Sequence, residues 1–150
     1  MTYREAINLG EKVLNMADVA DAKIDAWLLL EMVCKIDRSF YYLHMEDEVA
    51  EEQLSEYEIA LRKRAEHVPL QYIVGEAEFM GLKFKVNSNV LIPRQDTETL
   101  VEEALKVVKP GMKVLDLCTG SGCIIVSIVH NVPEAVSYTH LRAHETRRHL

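Results

Sequence analysis

The chain holds 150 residues with a formal net charge of −7, 49% of them hydrophobic and 27% charged. An acidic balance of this kind is a poor match for duplex DNA, whose binding depends on neutralising phosphates, and no apolar run approaches the roughly 18 to 20 residues that a bilayer span needs. The length leaves room for one domain of common size, or for a small domain and part of another, and the second arrangement is expected from the pattern along the chain.

The start, Met1 to Ala6, has no basic stretch leading into an apolar core, so no secretion signal is expected. From Thr2 to about Met16, Ala6, Ile7, Leu9, Val13 and Leu14 fall along one helical stripe. Asp21 is placed to cap a second helix carrying Ala26, Trp27, Leu29, Leu30 and Val33. A third, between about Glu51 and Glu66, spaces Leu54, Tyr57, Leu61 and Ala65 three or four apart. With no interior proline, these stretches predict a compact helical bundle whose aromatics pack its core. Arg62, Lys63 and Arg64 close the third helix, where cations favour the macrodipole, and are read as a solvated terminus rather than a nucleic-acid patch.

Pro69 stops the helical pattern. Leu82, Phe84 and Val86 then alternate with Lys83 and Lys85 after Glu78 to Gly81, the mark of a hairpin with one buried face. Asp96 or Thr97 is expected to cap a further helix with Leu100, Val101, Ala104, Leu105 and Val108 as its apolar stripe. Glu98, Glu102 and Glu103 read as its solvated face. Lys113 to Leu117 form a short apolar strand, read as buried, with Asp116 near its carboxyl end, and Gly120 and Gly122 mark a tight turn into the apolar run that begins at Cys123. Ligands bind at such turns in open α/β sheets. The turn is not the dinucleotide fingerprint, because Cys118 stands at the first glycine position. Cys34, Cys118 and Cys123 are odd in number and lack C-x-x-C spacing, so they predict reduced packing thiols in a cytoplasmic protein, with no disulfide framework and no metal site.

Four ordered segments make the chain recognisable: the helical start, Pro69-Leu-Gln-Tyr-Ile-Val-Gly75, Leu91-Ile-Pro-Arg-Gln-Asp-Thr-Glu98 and Asp116-Leu-Cys-Thr-Gly-Ser-Gly122. Together they resemble the PrmC/HemK family, methyltransferases that modify a glutamine of peptide chain release factors with S-adenosylmethionine. The resemblance runs to about Val136. It implies an α+β chain: a helical substrate-recognition domain over 1–68, a linker and β-hairpin over 69–92, and the start of a Rossmann-like class I methyltransferase α/β domain over 93–136, of which only the first parallel strand is expected intact. It also places Cys118, Thr119, Gly120, Ser121 and Gly122 around the methionine part of S-adenosylmethionine. Asp116 either orients the turn or reaches the cofactor's amino group, and Arg94 and Thr97 line the pocket from the other side. A class I release factor is the implied protein substrate, with no direct nucleic acid and no membrane as partner.

The resemblance assigns the reacting amide to an Asn-Pro-Pro-Tyr motif. No Asn-Pro pair occurs in these 150 residues, so no catalytic residue is assigned and the chain as it stands is expected to be inactive. The acid that should hold the cofactor ribose falls near Leu141, where the chain reads Thr-His-Leu-Arg. Ser137 to Leu150 carries three of the six histidines and three arginines against one glutamate, leaving −9 on the remainder. This stretch is expected to be a non-native tail, and His140 with His144 is not read as a metal site. A nucleic-acid amino-methyltransferase and a non-catalytic helical binding module are the alternatives.

Overall fold

A computed structural model of the chain describes residues 1–140 and divides into two compact units, one from Met1 to Val74 and one beginning at Gly75. The first unit is helical: α1 (Tyr3–Met16), α2 (Ala22–Cys34), α3 (Arg38–His44), α4 (Glu51–Ala65) and α5 (Leu70–Val74). The α1 start is fixed by a reciprocal cap in which the Thr2 hydroxyl accepts the Glu5 N–H at 3.2 Å and the Thr2 N–H donates to Glu5 Oε2 at 2.9 Å. Asp21 does precede α2, but its side chain makes no capping bond, because its backbone (φ −106, ψ 38) lies outside the extended region from which a cap reaches back.

The core of this unit gathers Ala6, Leu14, Trp27, Leu29, Leu30, Tyr57 and Leu61 from the predicted stripes of α1, α2 and α4, together with Tyr3, which lay outside the predicted stripe. Burying each of its leucines contributes about 1.5–3 kcal/mol. One interior glycine, not weighed in the stripe of α1, decides how closely the helices approach. A Cβ at Gly10 would stand 2.1 Å from the hydroxyl of Tyr57 and 3.1 Å from Ala26 Cβ. The fully buried Tyr57 uses that space to donate to the Ala26 carbonyl at 3.1 Å.

Arg64 departs from the expected solvated terminus. Its Nε donates to Asp25 Oδ2 at 2.6 Å and its Nη1 to the Val68 carbonyl at 3.2 Å, so it bolts α4 to α2 and holds the turn that follows. Arg62 and Lys63 do remain exposed. The short helices α3 and α5 were not anticipated. At 7 and 5 residues they are too short to repeat an apolar stripe, although Tyr41 of α3 and Leu70, Ile73 and Val74 of α5 pack against the core.

The second unit opens with the predicted hairpin, β1 (Glu76–Phe79) and β2 (Leu82–Lys85), paired antiparallel with Phe79 opposite Leu82. There follow α6 (Asp96–Val107), β3 (Lys113–Leu117), α7 (Cys123–Asn131) and β4 (Val136–His140). Phe79, Phe84, Val101, Cys123 and Ile128 form the core that joins hairpin, α6 and α7. Asp96 and Thr97 do not cap α6. The helix begins at Asp96, and the N–H groups of Thr97 and Glu98 already bond to the carbonyls of Arg94 and Gln95. Glu98 is not part of a solvated face either: its Oε1 accepts the Met80 N–H at 2.6 Å and ties the hairpin turn to α6.

The strand at Lys113–Leu117 is not solitary. It pairs parallel with β4, with Leu115 opposite Tyr138, so Ser137–His140 lie in a strand. Nor is it a buried strand, since Leu115 and Leu117 are 59% and 63% exposed while Val114 packs on the α7 side. One helix covers one face; a parallel strand reads as buried only when both are covered. The acid sought near Leu141, the second histidine of the His140–His144 spacing and the rest of the expected tail lie outside the described residues. No helix among the described residues is long and apolar enough to cross a membrane.

Candidate functional site

The turn between β3 and α7 is built from alternating backbone states. Cys118, Gly120 and Gly122 take φ of +63, +56 and +77, left-handed values that glycine adopts freely and cysteine reluctantly. Conformation rather than space dictates the glycines, since a Cβ at Gly120 would meet nothing nearer than the Cys118 carbonyl at 3.9 Å. The signal for Cys118 was present in the sequence: it stands where a nucleotide fingerprint has its first glycine.

Two hydrogen bonds hold the turn. The Thr119 hydroxyl donates to Asp116 Oδ2 at 2.9 Å, and the Gly122 N–H donates to the Thr119 carbonyl at 2.8 Å. The first α7 bond, from the Val126 N–H to the Gly122 carbonyl at 2.9 Å, starts the helix from there. Between these anchors the N–H groups of Gly120 and Ser121 donate to no backbone acceptor among the described residues. Free main-chain donors beside a helix amino terminus can receive anionic or polar ligand atoms.

Six of the eight residues singled out in the sequence, Asp116, Cys118, Thr119, Gly120, Ser121 and Gly122, therefore share this one turn. Arg94 and Thr97 lie elsewhere, where α6 begins. The Thr97 N–H donates to the Arg94 carbonyl at 3.0 Å, and no hydrogen bond or ion pair joins either residue to the turn among the described residues. Arg94 is exposed and Thr97 half-buried. Of the cysteines, Cys123 packs in the core of the second unit, whereas Cys118 is exposed, contrary to the packing role expected for it. Cys34 is buried between helices of the first unit, where desolvation and then the nearby Glu56 push its thiol pKa up. No group of three or more His, Cys, Asp or Glu side chains among the described residues is placed to hold a metal ion.

Residues 5–75 match the family model described as the PrmC N-terminal domain. Over 140 residues, or 92% of its length, the chain is 38% identical to a release factor glutamine methyltransferase of Moorella thermoacetica, covering 50% of that protein. It is 44% identical over 130 residues to the protein of the same name from Clostridium acetobutylicum, 85% of this chain and 46% of the relative. With the Geobacter sulfurreducens protein it shares 37% over 134 residues, 89% of this chain and 47% of the relative. The chain thus spans about half the length of the curated relatives it matches. A match over 92% of the chain necessarily takes in the turn at Asp116 to Gly122 as well as the helical unit. A matching amino-terminal domain model, followed by an alignment that runs on through the glycine turn, makes this chain similar to PrmC-family proteins over both regions.

Proposed function

We propose that the chain supplies the substrate-recognition helices and the cofactor turn of a cytoplasmic enzyme that methylates the side-chain amide nitrogen of a glutamine in peptide chain release factors. The observation that carries this reading is the turn itself: left-handed backbone at alternate positions and two N–H groups without a backbone acceptor among the described residues, inside a region aligned with relatives named as release factor glutamine methyltransferases. The succession of strand β3, glycine turn and helix α7 is consistent with the start of a Rossmann-like class I methyltransferase sheet. In functional terms residues 1–68 dock the release factor, 69–92 form the linker and hairpin, and 93–136 begin the cofactor domain. Residues 137–150 form the proposed non-native tail.

The turn fits S-adenosylmethionine. Its main-chain groups at Cys118, Thr119, Gly120, Ser121 and Gly122 offer donors and acceptors to the methionine moiety, without a Cβ at the two glycines. Asp116 stands behind them at the strand end, and Arg94 and Thr97 are assigned to the far wall. When bound, S-adenosylmethionine supplies a sulfonium-activated methyl group. An amide nitrogen is a weak nucleophile because its lone pair is delocalised into the carbonyl, so orientation beside that methyl accounts for much of the rate. The chain contains no Asn-Pro pair, which leaves the amide-holding motif unassigned, and these 150 residues alone are expected to bind cofactor weakly and to turn nothing over.

Titrating the isotope-labelled chain with S-adenosylhomocysteine tests the reading. Amide resonances of Thr119 to Cys123 are expected to shift, with half-saturation above the micromolar range. Unmoved resonances at millimolar ligand sink the assignment, and half-saturation at micromolar ligand contradicts the expected weakness of the site. Methyl transfer to a release factor by the chain alone would contradict its expected inactivity.

A further inference from the structure

We infer that Asp116 serves the turn as a positioning residue acting through the Thr119 hydroxyl, and that this side-chain tether sets the backbone conformation on which ligand binding depends. The inference rests on the cofactor reading of the turn but makes a separate claim about how its shape is kept. Asp116 lies in β3, one residue before the strand ends at Leu117, and Thr119 lies just beyond it. Their bond, 2.9 Å from Oγ1 to Oδ2, spans Leu117 and Cys118. Cys118 is the one non-glycine residue among the three left-handed positions of the turn, at φ +63. An L side chain does not rest there unaided, so something must hold it.

Thr119 is suited to that task because it is bonded at both ends. Its hydroxyl is fixed to the strand and its carbonyl receives the Gly122 N–H at 2.8 Å, so it links β3 to the start of α7. Asp116 and Thr119 are both half-buried, which limits competition from water for the bond. With the hydroxyl removed, Cys118 is released from the strand end and the Thr119 carbonyl loses its fixed direction. The Gly120 and Ser121 donors would then no longer be presented in one geometry. A carboxylate acting instead as a direct ligand would need its charge and would not need Thr119.

Amide hydrogen exchange of the full chain, with and without S-adenosylhomocysteine, separates these accounts. Thr119→Val is expected to speed exchange at Gly122 by about five- to tenfold, the size of one hydrogen bond, and to weaken the S-adenosylhomocysteine titration in step. Thr119→Ser keeps the hydroxyl and restores both. Asp116→Asn keeps an acceptor oxygen and retains the slow Gly122 exchange, whereas Asp116→Ala matches Thr119→Val, and the double variant is no worse than either alone. Unchanged Gly122 exchange in Thr119→Val overturns the tether, as does a loss in Asp116→Asn equal to that in Asp116→Ala. Slow Gly122 exchange in a chain that takes up no ligand overturns the cofactor reading while the tether stands.

Discussion

Ser127 is fully buried in α7 and its hydroxyl has no hydrogen-bond partner among the described residues. A buried hydroxyl left unpaired costs about 1–3 kcal/mol, and alanine is also the better helix former. Ser127→Ala is therefore expected to stabilise the second unit by about 1 kcal/mol, read as a rise in denaturant midpoint with an unchanged slope. The opposite sign is expected at Gly10, where an added Cβ collides with the buried, hydrogen-bonded hydroxyl of Tyr57. Gly10→Ala should cost about 1–3 kcal/mol by overpacking. Tyr57 itself sets a pH limit. Burial, and then the nearby Cys34, raise its phenol above the ordinary 10.0, so the folded protein keeps the proton where the unfolded chain releases it. Its contribution is complete below pH 10.0 and declines as pH rises further, by about 1.4 kcal/mol per unit. Denaturation at stepped alkaline pH should show that decline in the wild type, and Tyr57→Phe should lack its share of it.

Among the elements, the joint between α2 and α4 includes, beside its apolar packing, one ion pair whose carboxylate is 8% exposed and whose guanidinium is 19% exposed. Removing one partner strands the other, so Arg64→Ala is expected to destabilise the helical unit by about 3 kcal/mol, with Asp25→Ala similar. The double variant should cost less than the sum of the two, because the stranded charge is then gone. Additive losses would show that the pair does not act as a unit. This pair was not legible in the sequence. Asp25 and Arg64 stand 39 residues apart, and a cation in the last turn of a helix is explained as well by the macrodipole. The helices α1, α2 and α4 were legible because each repeats apolar residues every three or four positions. The hairpin was legible because Phe84 and Val86 alternate with lysines. The caps were less so: Thr2 caps through a neighbouring glutamate, while Asp21 has a capping side chain in a backbone state that prevents its use.

At the scale of the molecule, the hydrophobic core of Met1–Val74 is, among the described residues, assembled from that unit's own side chains. A polypeptide of residues 1–74 is accordingly expected to melt cooperatively by circular dichroism, and a broad, non-cooperative loss of helix would refute its independence. Within the whole chain, the amides of Leu115 and Leu117 should exchange faster than those of Leu29 and Leu30, since exposed strands open at lower cost than a closed helical core. The sequence by itself determined the helices α1, α2, α4 and α6, the hairpin, the glycine turn and the family resemblance, because periodicity, left-handed backbone and ordered motifs are local properties written residue by residue. Only the tertiary structure decided that Arg64 is an internal bolt, that Glu98 fastens the hairpin, that β3 is half-covered and that Thr119 is tied to Asp116. Each of those depends on which side chain or surface stands opposite in space, and local sequence does not encode that.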